Sequence, residues 1–185
     1  GFQVRDADEL AARWCELAGN SRLRRKLADK SKTVFTQYRG AAERCGIIAQ
    51  DREAAEAIFR DKVKFAYENL PSEIRERFPL ARDSASELLF AHNNSSIRVA
   101  TSMRSGTIHR LHISEFGKIC AKYPDKAAEV VTGSIPSVPT NGVLVIESTA
   151  EGREGEFYEL VQRAEGMDAS KALLTPKDYR FHFYA

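Results

Sequence analysis

An α/β fold with a mainly parallel sheet, covered by helices on both faces, is the fold class that this sequence predicts. Two short apolar runs, at residues 45–49 and 143–146, contain no charged side chain. Such runs are typical of parallel strands, because a parallel strand is usually buried on both of its faces. Amphipathic helical patterns lie between the apolar runs, and strands that alternate with helices favour a parallel sheet.

The N-terminal segment, residues 1–43, is predicted to be helical and basic. Apolar side chains at helical spacing indicate a helix over residues 6–18. Residues 21–32 are rich in basic side chains, which are Arg22, Arg24, Arg25, Lys26, Lys30 and Lys32. These side chains either form a solvated helical face or contact a phosphate group or DNA.

The α/β pattern occupies residues 44–185. Asp51 is placed to cap a helix that follows the first apolar run and ends before Pro71. The predicted apolar face of this helix consists of Ala55, Ile58, Phe59, Val63 and Ala66. Apolar runs at 87–91 and 95–101 flank a polar triplet, and this arrangement predicts a hairpin.

The second half of the chain continues the alternation of strands and helices. The predicted elements are a strand at 111–114, a helix at 124–131, a strand at 143–146, a helix at 154–164 and a strand at 180–184. Four of the predicted strands are expected to share one sheet, namely those that contain Ile47, Ile97, Ile113 and Val145.

Length and composition restrict the function classes. The 185 residues are enough for one domain with a substantial core, and 43% hydrophobic with 29% charged residues is typical of a soluble globular protein. No apolar run approaches the ~20 residues that span a membrane, and the first residues do not resemble a secretory signal. The three cysteines form no CxxC pair, which argues against a zinc site or a disulfide framework. A net charge of only +2 implies that any contact with DNA is local and sensitive to salt.

The first candidate site follows the strand at 111–114. An apolar strand that ends in an acidic residue is how P-loop ATPases hold Mg²⁺ and orient the attacking water. Such strands commonly end in Asp-Glu, whereas here Ser114 precedes Glu115. Ser114 can reach a metal ion only weakly or through a water molecule, and Glu115 can polarise water. The alternative is that Glu115 is an ordinary surface carboxylate.

The second candidate site follows the strand at 143–146. This strand is followed by Glu147, by the hydroxyl side chains Ser148 and Thr149, and then by Ala150. In open α/β sheets, ligands bind in the crevice outside the carboxyl ends of the strands. The hydroxyls there can bond to a phosphate or to Glu115, or they can cap the helix that follows.

Several segments together resemble the large terminase subunits of tailed phages and prophages, which are DNA-packaging motors. The resemblance covers roughly residues 44–185, and its strongest parts are His112-Ile113-Ser114-Glu115-Phe116 and Glu147-Ser148-Thr149-Ala150-Glu151-Gly152. It implies a three-layer P-loop NTPase-like core that uses ATP and Mg²⁺. The N-terminal forty residues do not match the family's pattern.

The resemblance also implies roles for individual residues. Glu115 would be the Walker B catalytic glutamate, and residues 148–150 would form the coupling motif that links hydrolysis to DNA movement. Arg104 lies on the loop before the Walker B strand, where some members of the family carry an arginine finger that acts across subunits. Arg104 could instead form a salt bridge or face DNA.

The sequence departs from the family at the phosphate-binding loop. A P-loop of the form GxxxxGK[ST] cradles phosphates with backbone N–H groups and a lysine, and no segment of the chain has this form. The nearest candidate for nucleotide binding is Lys32-Thr33, which follows Ser31 instead of glycine. The core can therefore lack its first strand together with this loop.

For the whole protein, the resemblance implies translocation of double-stranded DNA into a procapsid in the bacterial cytoplasm. The implied partners are a portal protein, a small terminase subunit and further copies in a homo-oligomeric ring. The carboxylate cluster of the family's nuclease domain is absent from this sequence, so the chain is not expected to cut DNA. The alternative function is a catalytically inactive prophage remnant or a truncated module for assembly or DNA contact.

Overall fold

The computed structural model describes residues 19–22, 25–26, 42–104, 106–170, 173–175 and 178–183. The chain divides into two units, Gly1–Ala41 and Ala42–Ala185. In the first unit, Arg22, Arg25 and Lys26 are helical and exposed. The helix predicted at residues 6–18 lies outside the described residues. Among the described residues, no helix is long and apolar enough to cross a membrane.

In the part of the second unit that the structure describes, six strands form one sheet. They are β1 (Arg44–Ile48), β2 (Leu80–Asp83), β3 (Glu87–Phe90), β4 (Ser96–Ala100), β5 (Arg110–Ile113) and β6 (Val143–Ile146). Their order across the sheet is β2-β3-β4-β1-β5-β6. Strands β4, β1, β5 and β6 are mutually parallel, and the antiparallel pairs β2·β3 and β3·β4 lie at one side. The mainly parallel sheet and the hairpin around residues 92–94 are both confirmed.

The helices of this unit fall in two groups along the chain. The first group is α1 (Arg52–Ile58), a π-helical segment (Phe59–Lys64), α2 (Phe65–Glu68) and α3 (Ser72–Arg77). The second group is α4 (Phe116–Lys122), α5 (Pro124–Glu129), a π-helical segment (Val130–Ser134), a 3₁₀ turn (Ile135–Ser137) and α6 (Gly155–Ser170).

The structure confirms where the predicted helix after β1 begins. The face that this helix buries, however, is shifted relative to the predicted face. The Asp51 carboxylate accepts a hydrogen bond of 2.8 Å from the Ala54 N–H, which is the predicted cap. Phe59 is buried as expected, whereas Ala66 is exposed and Tyr67 is partly buried instead. The wider turn of the π-helical segment delays the apolar face by about one residue, because π-helical hydrogen bonds span five residues rather than four.

Two hydrophobic clusters lie on opposite faces of the sheet. Successive residues of a strand point to opposite faces, and Ile48 accordingly packs in one cluster while Ile47 packs against the other. One cluster contains the buried side chains of α4 and α5, and the other contains those of α1 and the π-helical segment that follows it. Helices therefore cover both faces, as the sequence predicts, although they do not cover every strand.

The predicted strand at residues 180–184 is wrong for the part that the structure describes, because residues 180–183 belong to no strand. Alternation of apolar and polar residues is a local pattern, and a strand also needs a backbone edge with which to pair. The sequence reasoning also missed β2, α3 and α4. Helix α4 begins after Glu115, whose side chain makes no capping hydrogen bond, so the usual start signal is missing.

Candidate active site at the carboxyl end of the sheet

The two sequence segments proposed as a site meet where β5 and β6 end. Ile113 and Ile146 are register partners in the parallel ladder, so the residues after them emerge side by side. The Glu147 N–H donates to the Ile113 carbonyl at 3.0 Å, and the Phe116 N–H donates to the Glu147 carbonyl at 3.0 Å. These backbone bonds fix the two strand ends to each other beyond the sheet itself.

The carboxylate of Glu115 is held by hydroxyls from the end of β6. Thr149 Oγ1 donates to Glu115 Oε2 at 3.1 Å, and Ser148 Oγ approaches the same oxygen at 3.4 Å. Lys118 Nζ lies 3.3 Å from Oε2 as well. This contact confirms the expectation that Glu115 and Thr149 lie together at the same edge of the sheet. Ala150 follows them as an exposed residue.

The backbone at Glu115 makes this arrangement possible. Glu115 has φ 54° and ψ 45°, in the left-handed region, and such a conformation costs a non-glycine residue on the order of 1–3 kcal/mol. The turn ends β5 abruptly and starts α4 in the next residue. A Cβ atom at Gly117 would lie 2.8 Å from Ser148 Oγ and 3.1 Å from the Thr149 carbonyl oxygen. Only glycine at this position lets the first turn of α4 approach the hydroxyl segment so closely.

The surroundings keep Glu115 ionised. Burial raises the pKa of Glu115, but the hydrogen bonds from Lys118 and Thr149 outweigh burial, and the resulting pKa is below its ordinary value. A carboxylate with a low pKa is a weak proton acceptor. It remains a strong hydrogen-bond acceptor, and so it can orient a water molecule by accepting a hydrogen bond from it.

Glu147 is a site residue that the sequence reasoning did not single out. Ser114 Oγ donates to Glu147 Oε1 at 2.6 Å, and His112 Nε2 lies 3.4 Å from the same oxygen. Ser114, which stands where a P-loop ATPase commonly has aspartate, is thus paired with a carboxylate from the neighbouring strand. The available signal was the position of Glu147 as the first residue after an apolar strand.

The residues present fit Mg²⁺ only as a complex with phosphates. Within the described part of the chain, no group of three or more His, Cys, Asp or Glu side chains is placed to hold a metal ion. Mg²⁺ in phosphoryl-transfer sites is usually bound by one or two carboxylates together with substrate phosphates and water. One carboxylate, that of Glu147, and the neighbouring Ser114 hydroxyl are enough for such a site. These two groups would be the protein's ligands to the ion.

Arg104 is bound within its own chain. Its Nε donates to Glu129 Oε1 on α5 at 2.6 Å. This hydrogen bond raises the pKa of Arg104 and lowers the pKa of Glu129. Among the alternatives considered for Arg104, the structure shows the salt bridge. Action across subunits would require this pair to separate. Lys32 and Thr33, the candidates for nucleotide binding, lie outside the described residues.

The carboxyl end of β1 carries a different polar contact. Lys126 Nζ donates to the Ala49 carbonyl at 3.0 Å and to the Gln50 carbonyl at 2.8 Å. Burial lowers the pKa of Lys126. These bonds tie α5 to the end of β1 and satisfy carbonyl groups that no strand reaches, so this contact is structural.

No protein-family model, curated protein or solved structure matches the chain. What bears on the function of the chain is therefore the geometry of the strand ends, together with the motifs of the sequence.

Proposed function

We propose that this chain is the ATPase-domain part of a viral DNA-packaging terminase large subunit, with a P-loop NTPase-like core. The observation that carries the proposal is the contact between Glu115 and Thr149 across the carboxyl ends of β5 and β6. The sequence resemblance assigns these two residues to the catalytic motif and the coupling motif. A direct hydrogen bond between them is what a link between hydrolysis and movement needs.

In the proposed reaction, Glu115 orients the water that attacks the terminal phosphate of ATP. Mg²⁺ bound together with the nucleotide would neutralise negative charge on the phosphates. Ser148 and Thr149 hold the Glu115 carboxylate, so a shift of the β6 end changes the orientation of that water. Lys118 keeps the carboxylate ionised. Movement of the segment after β6 and the chemistry at Glu115 are then coupled through two hydroxyl groups.

We expect the isolated chain to hydrolyse ATP slowly or not at all. No segment of the sequence has the form GxxxxGK[ST], and such a loop supplies backbone N–H groups and a lysine that bind phosphates before any chemistry. Arg104 could assist only across a subunit boundary, and an arginine finger is typically worth about 10³–10⁵ in rate.

The second candidate is a catalytically inactive remnant that retains an assembly or DNA-contact role. The absence of the GxxxxGK[ST] form and the Arg104–Glu129 ion pair favour it. In such a remnant, the contact of Glu115 with Thr149 would only stabilise the ends of the two strands.

A packaging experiment separates the two candidates. Glu115→Gln is introduced into the encoding gene in its phage or prophage, and DNase-resistant phage DNA is counted after induction. We expect a drop of about 10²-fold or more, because a group that acts on the reacting water contributes on that scale. Glu151→Gln, at an exposed glutamate after the coupling motif, is the matched control and should leave packaging unchanged. Equal yields from wild type and Glu115→Gln would reject the ATPase proposal and favour the remnant.

A further inference from the structure

His112 directs an unsatisfied ring nitrogen at the carboxylate of Glu147. The Nε2 atom of His112 is closed to water, and among the described residues it has no hydrogen-bond partner. Glu147 Oε1 lies 3.4 Å away, near enough for electrostatic contact, but the two atoms do not form a hydrogen bond. Buried polar atoms are nearly always hydrogen-bonded, and an exception calls for an explanation such as a bound ion.

The register of β5 and β6 brings these side chains to one face of the sheet. His112 is the partner of Val145 in the parallel ladder, and Ser114 and Glu147 follow two residues later on their own segments. Alternate residues of a strand share a face, whereas the buried side chains of α4 and α5 pack on the opposite face. The side chains of His112 and Glu147 are 42% and 47% exposed, so an ion can reach them from solvent.

The distance between the two groups matches that between two ligands of one metal ion. Zn²⁺ binds histidine nitrogen and carboxylate oxygen at about 2.0–2.2 Å with tetrahedral angles, which separates neighbouring ligand atoms by roughly 3.4 Å. His112 Nε2 and Glu147 Oε1 are 3.4 Å apart, whereas hydrogen-bonded atoms are about 2.7–3.2 Å apart. The two side chains can therefore bind a single ion with little rearrangement.

Ser114 holds the carboxylate in this position. Its Oγ donates to Glu147 Oε1 at 2.6 Å, and carboxylates that bind metal ions are usually hydrogen-bonded in this way. Two protein ligands leave the other positions around the ion to water. Structural zinc sites are closed by four protein ligands, so an ion at His112 and Glu147 would exchange with solvent and would not be a permanent part of the fold.

The imidazole determines which ions fit. Mg²⁺ prefers oxygen ligands and keeps several of its water molecules. Imidazole nitrogen suits Zn²⁺ and other first-row transition-metal ions. A pair of ligands that consists of one imidazole and one carboxylate therefore favours Zn²⁺ over Mg²⁺ when no phosphate is present.

We propose that His112 Nε2 and the Glu147 carboxylate form a binding site for Zn²⁺ or a similar divalent transition-metal ion. Ser114 orients the carboxylate, and water completes the coordination. The ion joins the ends of β5 and β6 and needs neither nucleotide nor Glu115, so the site does not depend on the proposed ATPase function. Glu147 would also serve the Mg²⁺ of that function, and the two ions cannot occupy it together.

The site is tested on the full chain without nucleotide. Calorimetry measures the binding of Zn²⁺ and of Mg²⁺, and NMR of the histidine ring nitrogens locates the ion. We expect Zn²⁺ to bind with an affinity on the order of tenfold or more above that of Mg²⁺. The Nε2 signal of His112 should shift as Zn²⁺ binds. An unchanged His112 signal at saturating Zn²⁺ would overturn the proposal without the use of any variant.

Variants on both strands test the two ligands separately. His112→Gln and Glu147→Gln should each weaken Zn²⁺ binding by about tenfold or more, and Ser114→Ala should weaken it by about tenfold, since the loss of an outer partner costs about 10–100-fold in affinity. His92→Gln, at an exposed histidine of the hairpin, is the matched control and should leave binding unchanged. Zn²⁺ affinity that survives either His112→Gln or Glu147→Gln would place the ion elsewhere and reject the site.

Thermal unfolding distinguishes the metal site from a simple ion pair of His112 with Glu147. A ligand that binds the folded chain raises its unfolding temperature. Zn²⁺ should therefore raise the unfolding temperature of the wild type more than that of His112→Gln. Equal shifts in the two proteins, or no shift in either, would mean that His112 and Glu147 pair only with each other.

Discussion

Two parts of one sheet face have opposite surroundings. Around Val99 and Leu88, α1 and its π-helical extension exclude solvent, and both side chains are 1% exposed. Around Val143 and Val145, on β6 of the same face, almost half of each side chain is exposed. The residues are equally apolar, so composition does not explain the difference. What differs is whether the chain before or after each strand supplies a helix to that face.

The largest expected change in the free energy of unfolding comes from removing a buried leucine. Leu88→Ala should lower the free energy of unfolding by about 2–5 kcal/mol, because it removes apolar contacts and leaves a cavity. Val145→Ala should change it by no more than about 0.5 kcal/mol, as is usual for exposed sites. Urea unfolding of both variants measures the difference. A cost at Val145 similar to that at Leu88 would mean that the β6 face is covered in solution.

The second prediction compares Gly117, which is closely packed against the segment after β6, with Gly166, which lies on an open surface of α6. Gly117→Ala should destabilise the chain by about 1–3 kcal/mol, because the new methyl group collides with Ser148 and the Thr149 carbonyl. Gly166→Ala on α6 meets nothing within 4 Å, and should stabilise by roughly 0.5–1 kcal/mol through better helix propensity. Thermal unfolding checks both. A neutral Gly117→Ala would show that α4 and the coupling segment are not packed together.

The third prediction concerns the charge of Glu115. Because the folded-state pKa of Glu115 is lowered, its contribution to stability is present at neutral pH and is lost as pH falls through the acidic range. Lys118→Met should raise the pKa of Glu115, so the variant should lose less stability on acidification than the wild type. Carboxyl NMR titration and unfolding at several pH values measure this change. Lys122→Met, at the end of α4, is the control, and equal pH profiles for both variants would contradict the prediction.

The smallest expected effect is that of the Arg104–Glu129 pair. Arg104→Gln or Glu129→Gln should change the free energy of unfolding by less than about 1 kcal/mol, since exposed ion pairs contribute little. A double-mutant cycle in low and high salt measures the coupling between the two residues. A coupling well above this range and insensitive to salt would show that the pair is a rigid structural link and that Arg104 does not separate easily from its own chain.

Much of the fold could be predicted from local patterns. The apolar runs located β1, β4, β5 and β6, and the polar triplet before residue 95 located the hairpin. Asp51 marked the start of α1 correctly. These predictions succeeded because burial on both faces, hairpin turns and helix caps leave signals within a few residues. The strand predicted at 180–184 failed over its described part because alternation does not reveal whether a partner strand exists.

The candidate site could be predicted in part. Acidic and hydroxyl residues directly follow two apolar strands, and this pattern was enough to predict that Glu115 and Thr149 lie close together. The position of Glu147 directly after an apolar strand was a usable signal, but its hydrogen bond with Ser114 could not be predicted, because that contact depends on the register of β5 against β6. The ion pair of Arg104 with Glu129 joins residues far apart in the chain, and only the packing of α5 against the loop after β4 brings them into contact.

By itself the sequence determined which segments are apolar strands, where one helix begins, and which functional groups follow the strand ends. These properties depend on neighbouring residues and therefore can be read along the chain. The tertiary structure alone decided the strand order, the left-handed turn at Glu115 and the difference between the covered and bare parts of one sheet face. Strand order and helical cover result from which backbone edges and apolar surfaces meet, and no local pattern of residues specifies that pairing.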